Sequence, residues 1–208
     1  MADAAIEQRH IDDAGLDKDA RDLDLPPWMK GRFGTAIGRA VHAVLQTIDL
    51  STGNGLQALV TAQAAAEAVI GKEATIAALV QSALDSDTVK EAAQSRHWRE
   101  TYVGTPVGDT VIEGYIDLMY EHPDGGVVIV DHKTDAVPDE SSLAVKADRY
   151  RLQAATYALA VERTTGLRVR SAALLFLAPE GAVPFEIVNL EAAMAEVESI
   201  VEAVAADG

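Results

Sequence analysis

Glu113-Gly114-Tyr115-Ile116-Asp117-Leu118-Met119-Tyr120, then Glu121-His122-Pro123-Asp124-Gly125-Gly126, then Val127-Val128-Ile129-Val130-Asp131-His132-Lys133-Thr134: residues 113–134 decide how this chain folds. Two apolar runs flank a segment holding one proline, one aspartate and two glycines, the pattern of a β-hairpin. With the turn centred on Asp124, Asp117 and Asp131 are each seven residues from the centre and oppose one another. Cross-strand partners of this kind carry Cβ atoms about 4.5–5.5 Å apart on one face. Lys133, two residues past Asp131, shares that face. The stretch therefore predicts two carboxylates and an ammonium converging on one spot, on strands otherwise apolar on both faces.

Two carboxylates that close repel, and burying them unpaired is costly. A divalent cation resolves the conflict, since hard cations such as Mg2+ take oxygen ligands. Taken alone, the hairpin fits a plainer reading better, with both aspartates at solvated strand ends and Lys133 as a surface partner. The rest of the chain changes that balance.

A length of 208 residues makes one domain with a substantial core the default, and 49% hydrophobic residues suit a globular protein. No apolar run is long enough to cross a bilayer, and the N-terminus lacks a basic-plus-apolar signal pattern, so no membrane partner and a cytoplasmic location are expected. The absence of cysteine excludes a disulfide framework, a thiolate zinc site and a cysteine-held iron–sulfur cluster. The net charge of −16 argues against non-specific nucleic-acid binding, for which basic surface supplies the affinity. The acids crowd the two ends, whereas the middle keeps basic groups, Lys146 and Arg149 among them.

Residues 1–27 are acidic, poorly periodic and close on Leu25-Pro26-Pro27. They read as a linker or loosely docked arm ahead of the domain at 28–208, and if the chain is a piece of a larger protein the Pro-Pro marks where an upstream part ends. Over 34–50 the spacing predicts a helix capped by Thr35, with Ile37, Val41, Leu45 and Ile48 in a stripe and His42 beside it. Residues 56–93 predict two or three short alanine-rich helices with no chemical residue among them. A first strand is expected over 96–103, ending at Gly104-Thr105-Pro106, with Glu100 as its notable acid. After a loop containing Pro138, a helix is expected over 141–165, closed by Gly166. Tyr150, Gln153 and Tyr157 share one face of it, a mixture of aromatic and hydrogen-bonding groups odd for plain core. Strands over 168–177 and 182–188 and a closing helix over 191–206 complete the chain. No G-x-x-x-x-G-K-[ST] loop is present, so the chain carries no nucleotide motor of its own.

Four pieces stand in a recognisable order: Gly34-Thr35…His42-Ala43-Val44-Leu45, then Glu113-Gly114-Tyr115-Ile116-Asp117, then Val130-Asp131-His132-Lys133-Thr134, then Tyr150-Arg151-Leu152-Gln153…Tyr157. Together they resemble the RecB-like nucleases of the PD-(D/E)xK superfamily, in particular the C-terminal nuclease domains fused to UvrD-like helicases, AdnA- and AdnB-type repair enzymes included. The likeness spans about residues 28–190. It implies an α/β fold: a restriction-endonuclease-like core with a central mixed β-sheet flanked by helices, plus an extra helical segment at about 51–94. It also implies that His42, Asp117, Asp131 and the backbone carbonyl of His132 hold Mg2+ or Mn2+. Lys133 would be the catalytic lysine, Gln153 and Tyr157 would line the cleft, and Glu100 would be a supporting acid. Position 132 holds His where an aromatic such as Tyr is common in the family. The cysteines that hold an iron–sulfur cluster in some relatives are missing, so the cluster-free branch is implied.

The activity so implied is metal-dependent hydrolysis of DNA, exonuclease-type, in end processing and double-strand-break repair. A helicase module on the same chain or a partner would deliver the single strand. Two rivals belong to other classes. A non-catalytic interaction module would keep the fold and lose ligands, yet every key position is filled. A hydrolase for a small phosphoester would want a closed pocket rather than an open cleft.

Overall fold

The structure is a computed structural model that describes residues 35–107, 110–134 and 140–206, with 110, 140–149 and 204–206 as backbone only. The acidic arm over 1–27 and the Pro138 loop lie outside the described residues. The chain divides into two compact units, up to Gln81 and from Ser82 onward.

The first unit is helical. α1 (Ala36–Thr47) starts where Thr35 turns its hydroxyl to accept from the Gly38 N–H at 3.0 Å, a cap worth about 1 kcal/mol. Its buried face carries Ile37, Val41, Val44 and Leu45, as the sequence stripe requires. α2 (Leu56–Ala66) follows, and Arg39 on α1 reaches Glu67 just beyond it at 2.8 Å. α3 (Glu73–Asp85) closes the unit and runs on past Gln81.

The second unit holds α4 (Asp87–Gln94), capped by the Ser86 hydroxyl, and a five-stranded mixed sheet. The strands are β1 (His97–Val107), β2 (Thr110–Glu121), β3 (Val127–Lys133), β4 (Val169–Phe176) and β5 (Val183–Glu186), side by side in chain order. The β1–β2, β2–β3 and β4–β5 pairs are antiparallel, and β3–β4 is parallel. A parallel pair needs a long crossover, and α5 (Glu140–Thr165) supplies it. α5 lies on the sheet through Ala154, Ala158 and Val161, packed with Val127, Ile129, Met119 and Leu174. α6 (Leu190–Ala206) packs on α5 through Ala193 and Val197. Gly166, in the left-handed region at φ 71°, ends α5 as expected.

β1 runs four residues past the expected stop, through Gly104 and Pro106 to Val107. Position explains it: β1 is an edge strand, where a residue without an N–H breaks no inner ladder, and Pro106 keeps register with Val111. Pro184 sits in β5 at the opposite edge for the same reason.

The β2–β3 ladder runs from Glu121↔Val127 to Leu118↔Val130, the register that sets Asp117 opposite Asp131. The His122 carbonyl accepts from the Gly125 N–H at 2.9 Å, and the His122 N–H donates to the Gly126 carbonyl at 3.0 Å. Gly125 and Gly126 have φ of 94° and 78°. A Cβ on Gly126 would also stand 2.8 Å from the Arg168 carbonyl, whereas one on Gly125 would meet nothing. Gly125→Ala should therefore cost about 1–2 kcal/mol, the usual left-handed penalty, in urea unfolding. Gly126→Ala should cost more, because the backbone of Arg168 must also yield. Equal losses would show that the contact carries no weight.

Candidate active site

The register of β1 against β2 continues the row. Arg99↔Leu118 and Thr101↔Ile116 bracket Glu100 and Asp117, so Glu100 stands opposite Asp117 as Asp131 does on the other side. Three acids thus line up across three neighbouring strands. A carboxylate oxygen of Glu100 and one of Asp117 lie within 4.8 Å of each other. Asp131 is buried. Asp117 Oδ2 accepts the His132 N–H at 2.7 Å, so a side chain replaces a carbonyl just where the regular ladder stops.

The row also marks a change of phase in the sheet. A Cβ on Gly114 would point at Tyr157 of α5, and Met119 packs in the core beneath α5. These positions are five apart on β2, and strict alternation would put them on opposite faces. On β1, Trp98 and Val103 pack against that same core, again five apart. Between them Glu100 takes φ 48°, a left-handed conformation that costs a non-glycine residue about 1–2 kcal/mol. The distortion and the acids coincide, as strained backbone and functional groups often do.

Lys133 comes off β3 beside Asp131. Its Nζ forms an ion pair with Asp131 Oδ2, donates to Gln153 Oε1 at 3.3 Å and lies 3.9 Å from the centroid of the Tyr150 ring. Gln153 Nε2 in turn donates to the Tyr157 hydroxyl at 2.9 Å. Burial pushes the Tyr157 hydroxyl above its ordinary pKa. The Gln153 bond works the other way, and the charges on Asp131, Asp117 and Glu100 add to the rise. The phenol therefore stays protonated at neutral pH, under the field of all three acids.

Of the residues singled out in the sequence, Glu100, Asp117, Asp131, Lys133, Gln153 and Tyr157 are brought together in the second unit. His42 is half-buried on α1 in the first unit. The His132 ring is buried, its Nδ1 3.9 Å from Asp117 Oδ2, beyond hydrogen-bond length. The side chains of Lys146 and Arg149 lie outside the described residues. Two carboxylate oxygens within 4.8 Å can both reach one hard cation, because each cation–oxygen distance is about 2.0–2.6 Å. The oxygen donors of the row suit a hard divalent cation.

Three features escape a reading of the sequence. The Tyr150 ring faces the lysine, not merely the helix stripe. Tyr102 and Tyr115, cross-strand partners next to the acid row, are exposed and meet edge to face at 5.5 Å. Gly114 is small because Tyr157 lies on it: an added Cβ would come within 2.5 Å of Tyr157 Cε1. Gly114→Ala should cost about 1–3 kcal/mol by overpacking. In a Tyr157→Ala background the same change should cost far less, a coupling measured by a double-mutant cycle in urea. Additive losses would remove Tyr157 as the reason for the glycine.

Comparison with known proteins gives the family. The family model described as the PD-(D/E)XK nuclease superfamily matches residues 20–207. The chain is similar to an ATP-dependent helicase/nuclease subunit of Desulforudis audaxviator (strain MP104C), 33% identical over 172 residues, 73% of this chain and 14% of that protein. The protein of that name from Bacillus cereus (strain B4264) is 27% identical over 173 residues, 71% of this chain and 14% of the relative. A shorter match, 39% identical over 64 residues, covers 30% of this chain and 5% of the protein of that name from Acetivibrio thermocellus. The chain thus spans about a seventh of the length of the first two relatives. With the fold consistent and the family model matching nearly the whole sequence, the chain belongs to the PD-(D/E)XK nuclease superfamily.

Proposed function

We propose that this chain is a metal-dependent DNA nuclease that hydrolyses phosphodiester bonds, exonuclease-type, on single strands delivered by a helicase module. The observation that carries the reading is the row Glu100, Asp117 and Asp131 with Lys133 on the same strand as Asp131 and in contact with it. Asp117, Asp131 and Glu100 would hold Mg2+ or Mn2+. His42 and the His132 carbonyl are added as ligands on the strength of the sequence resemblance, and the cysteine-free composition leaves no thiolate for an iron–sulfur group. A bound divalent cation supplies Lewis-acid polarisation of the scissile phosphate and a water of lowered pKa.

The chain's own residues do the rest. Lys133 orients the attacking water and stabilises the negative charge that builds on the phosphate oxygens. Gln153 holds the ammonium by its amide oxygen and passes its amide N–H to Tyr157, so the two cleft residues fix where Lys133 points. Lys146 and Arg149 are proposed to meet the DNA backbone. The net charge of −16 supports delivery rather than capture: a chain this acidic binds DNA weakly, and a motor must feed it. The names of the relatives, which join helicase and nuclease in one protein, suggest a UvrD-like module as that motor. End processing in double-strand-break repair is the role proposed. The proposed location is cytoplasmic; no helix among the described residues is long and apolar enough to cross a membrane.

The test is to incubate the 208-residue chain with labelled single-stranded DNA and Mn2+ or Mg2+, beside Asp131→Ala and Lys133→Ala. Cleavage is expected from the unmutated chain. Lys133→Ala should lower the rate by about 10²–10³, the usual effect of deleting one group that stabilises transition-state charge, and Asp131→Ala should abolish cutting. No cutting by the unmutated chain would favour a non-catalytic module. Cutting that survives both substitutions would come from a contaminant.

A further inference from the structure

Lys133 and a divalent cation want the same oxygen. The ammonium is paired with Asp131 Oδ2, both side chains are nearly buried, and Asp131 is one of the two aspartates of the row. A cation that takes Asp131 leaves Lys133 without its counter-charge and sets two positive charges beside each other. An ammonium buried in that state needs other partners. Two are already in place on α5, one turn apart: the Gln153 amide oxygen at 3.3 Å and the face of Tyr150 at 3.9 Å from the ring centroid. Neither can serve as a ligand of choice for a hard cation in place of a carboxylate, and both suit an ammonium. The ring does its greatest service once the carboxylate is gone, because it then stands in for it.

Resting on the metal-dependent reading above, we propose that Lys133 is an internal competitor of the metal. It occupies Asp131 when no cation is bound, and Tyr150 with Gln153 forms the second seat that receives its ammonium when the cation enters. Tyr150 is thus a positioning residue. It holds the lysine close to the reaction centre in the loaded state and lowers the cost of loading. No covalent step is involved. The competition acts as a conformational toll, since apparent affinity falls by the fraction of molecules whose Asp131 is free.

The measurement is Mn2+ affinity of the full chain, without DNA, by titration calorimetry or by the electron paramagnetic resonance of free Mn2+. Lys133→Met keeps much of the aliphatic stem and removes the competitor, so it should bind Mn2+ about tenfold more tightly even as it loses activity. Tyr150→Phe keeps the ring and should bind as the parent does. Tyr150→Leu removes it and should bind Mn2+ more weakly, on the order of threefold to tenfold. Thermal melts check that each variant is folded. If Tyr150→Leu does not fold, Lys133→Met alone decides. Equal Mn2+ affinity in Lys133→Met and the parent would overturn the competition, and equal affinity in Tyr150→Leu and the parent would overturn the second seat. Either result leaves the nuclease reading standing if Asp117→Asn binds Mn2+ much less tightly than the parent. A parent that binds Mn2+ no better than Asp117→Asn would instead overturn the metal site and the competition together.

Discussion

Three carboxylates on three adjacent strands repel one another, and the groups around them are arranged against that repulsion. At an effective dielectric of about 20, two unit charges 4–5 Å apart cost a few kcal/mol, a large fraction of the whole stability of a domain. Each aspartate has a visible counterweight. Asp131 has the Lys133 ammonium, and Asp117 has the His132 N–H at 2.7 Å. A carboxylate that accepts a backbone N–H satisfies a ladder donor and spreads its own charge at the same time. The sheet therefore tolerates the row, and on the proposed metal-dependent reading a cation that enters must displace one of these partners. That is why the lysine and its helix partners matter as much as the acids.

The part of this arrangement that was legible in the sequence is the part made by neighbours along the chain. Pro123, Asp124, Gly125 and Gly126 fix a turn, and the turn fixes which residue faces which, so Asp117 and Asp131 could be paired by counting. Lys133 followed from alternation along one strand, and the Tyr150–Gln153–Tyr157 face from helical spacing. What was illegible depends on contacts between distant residues. Gly114 looks like any strand glycine until Tyr157 is seen lying on it from α5. Glu100 stands out in the sequence as the notable acid of the first strand, yet no periodicity announces that its backbone turns left-handed there. Pro106 read as a strand end because a proline breaks an inner ladder, and only the sheet order shows that β1 is an edge.

Topology explains how the helix comes to stand over the row. β3 ends at Lys133, and the crossover to the parallel strand β4 must bring the chain back across the sheet. α5 does so on small residues: Ala154, Ala155 and Ala158 are all buried where it meets β-sheet or α6. Alanine at those positions brings the helix axis close to the strands, so side chains on the adjoining face reach the sheet surface. Gly114 extends the same logic to the strand side, removing the one Cβ that would block the Tyr157 ring. Close approach then converts a helix stripe into a fixed set of partners, with Tyr157 over β2 and Tyr150 and Gln153 around the ammonium from β3.

The phase change at Glu100 and Asp117 has a consequence for access. A regular strand hides every second side chain beneath α5 and turns the rest to the other face. Where the phase switches, consecutive residues escape that alternation, and a carboxylate can stand at the boundary between the covered and the open parts of the strand. Asp117 is only partly buried, Ile116 beside it is fully buried, and Tyr115 is exposed. An acid set wholly within the core would be protonated rather than ready for a cation. One set wholly in solvent would exert little hold on a phosphate. The local strain at Glu100, of about 1–2 kcal/mol, thus supports a placement that a regular ladder does not offer.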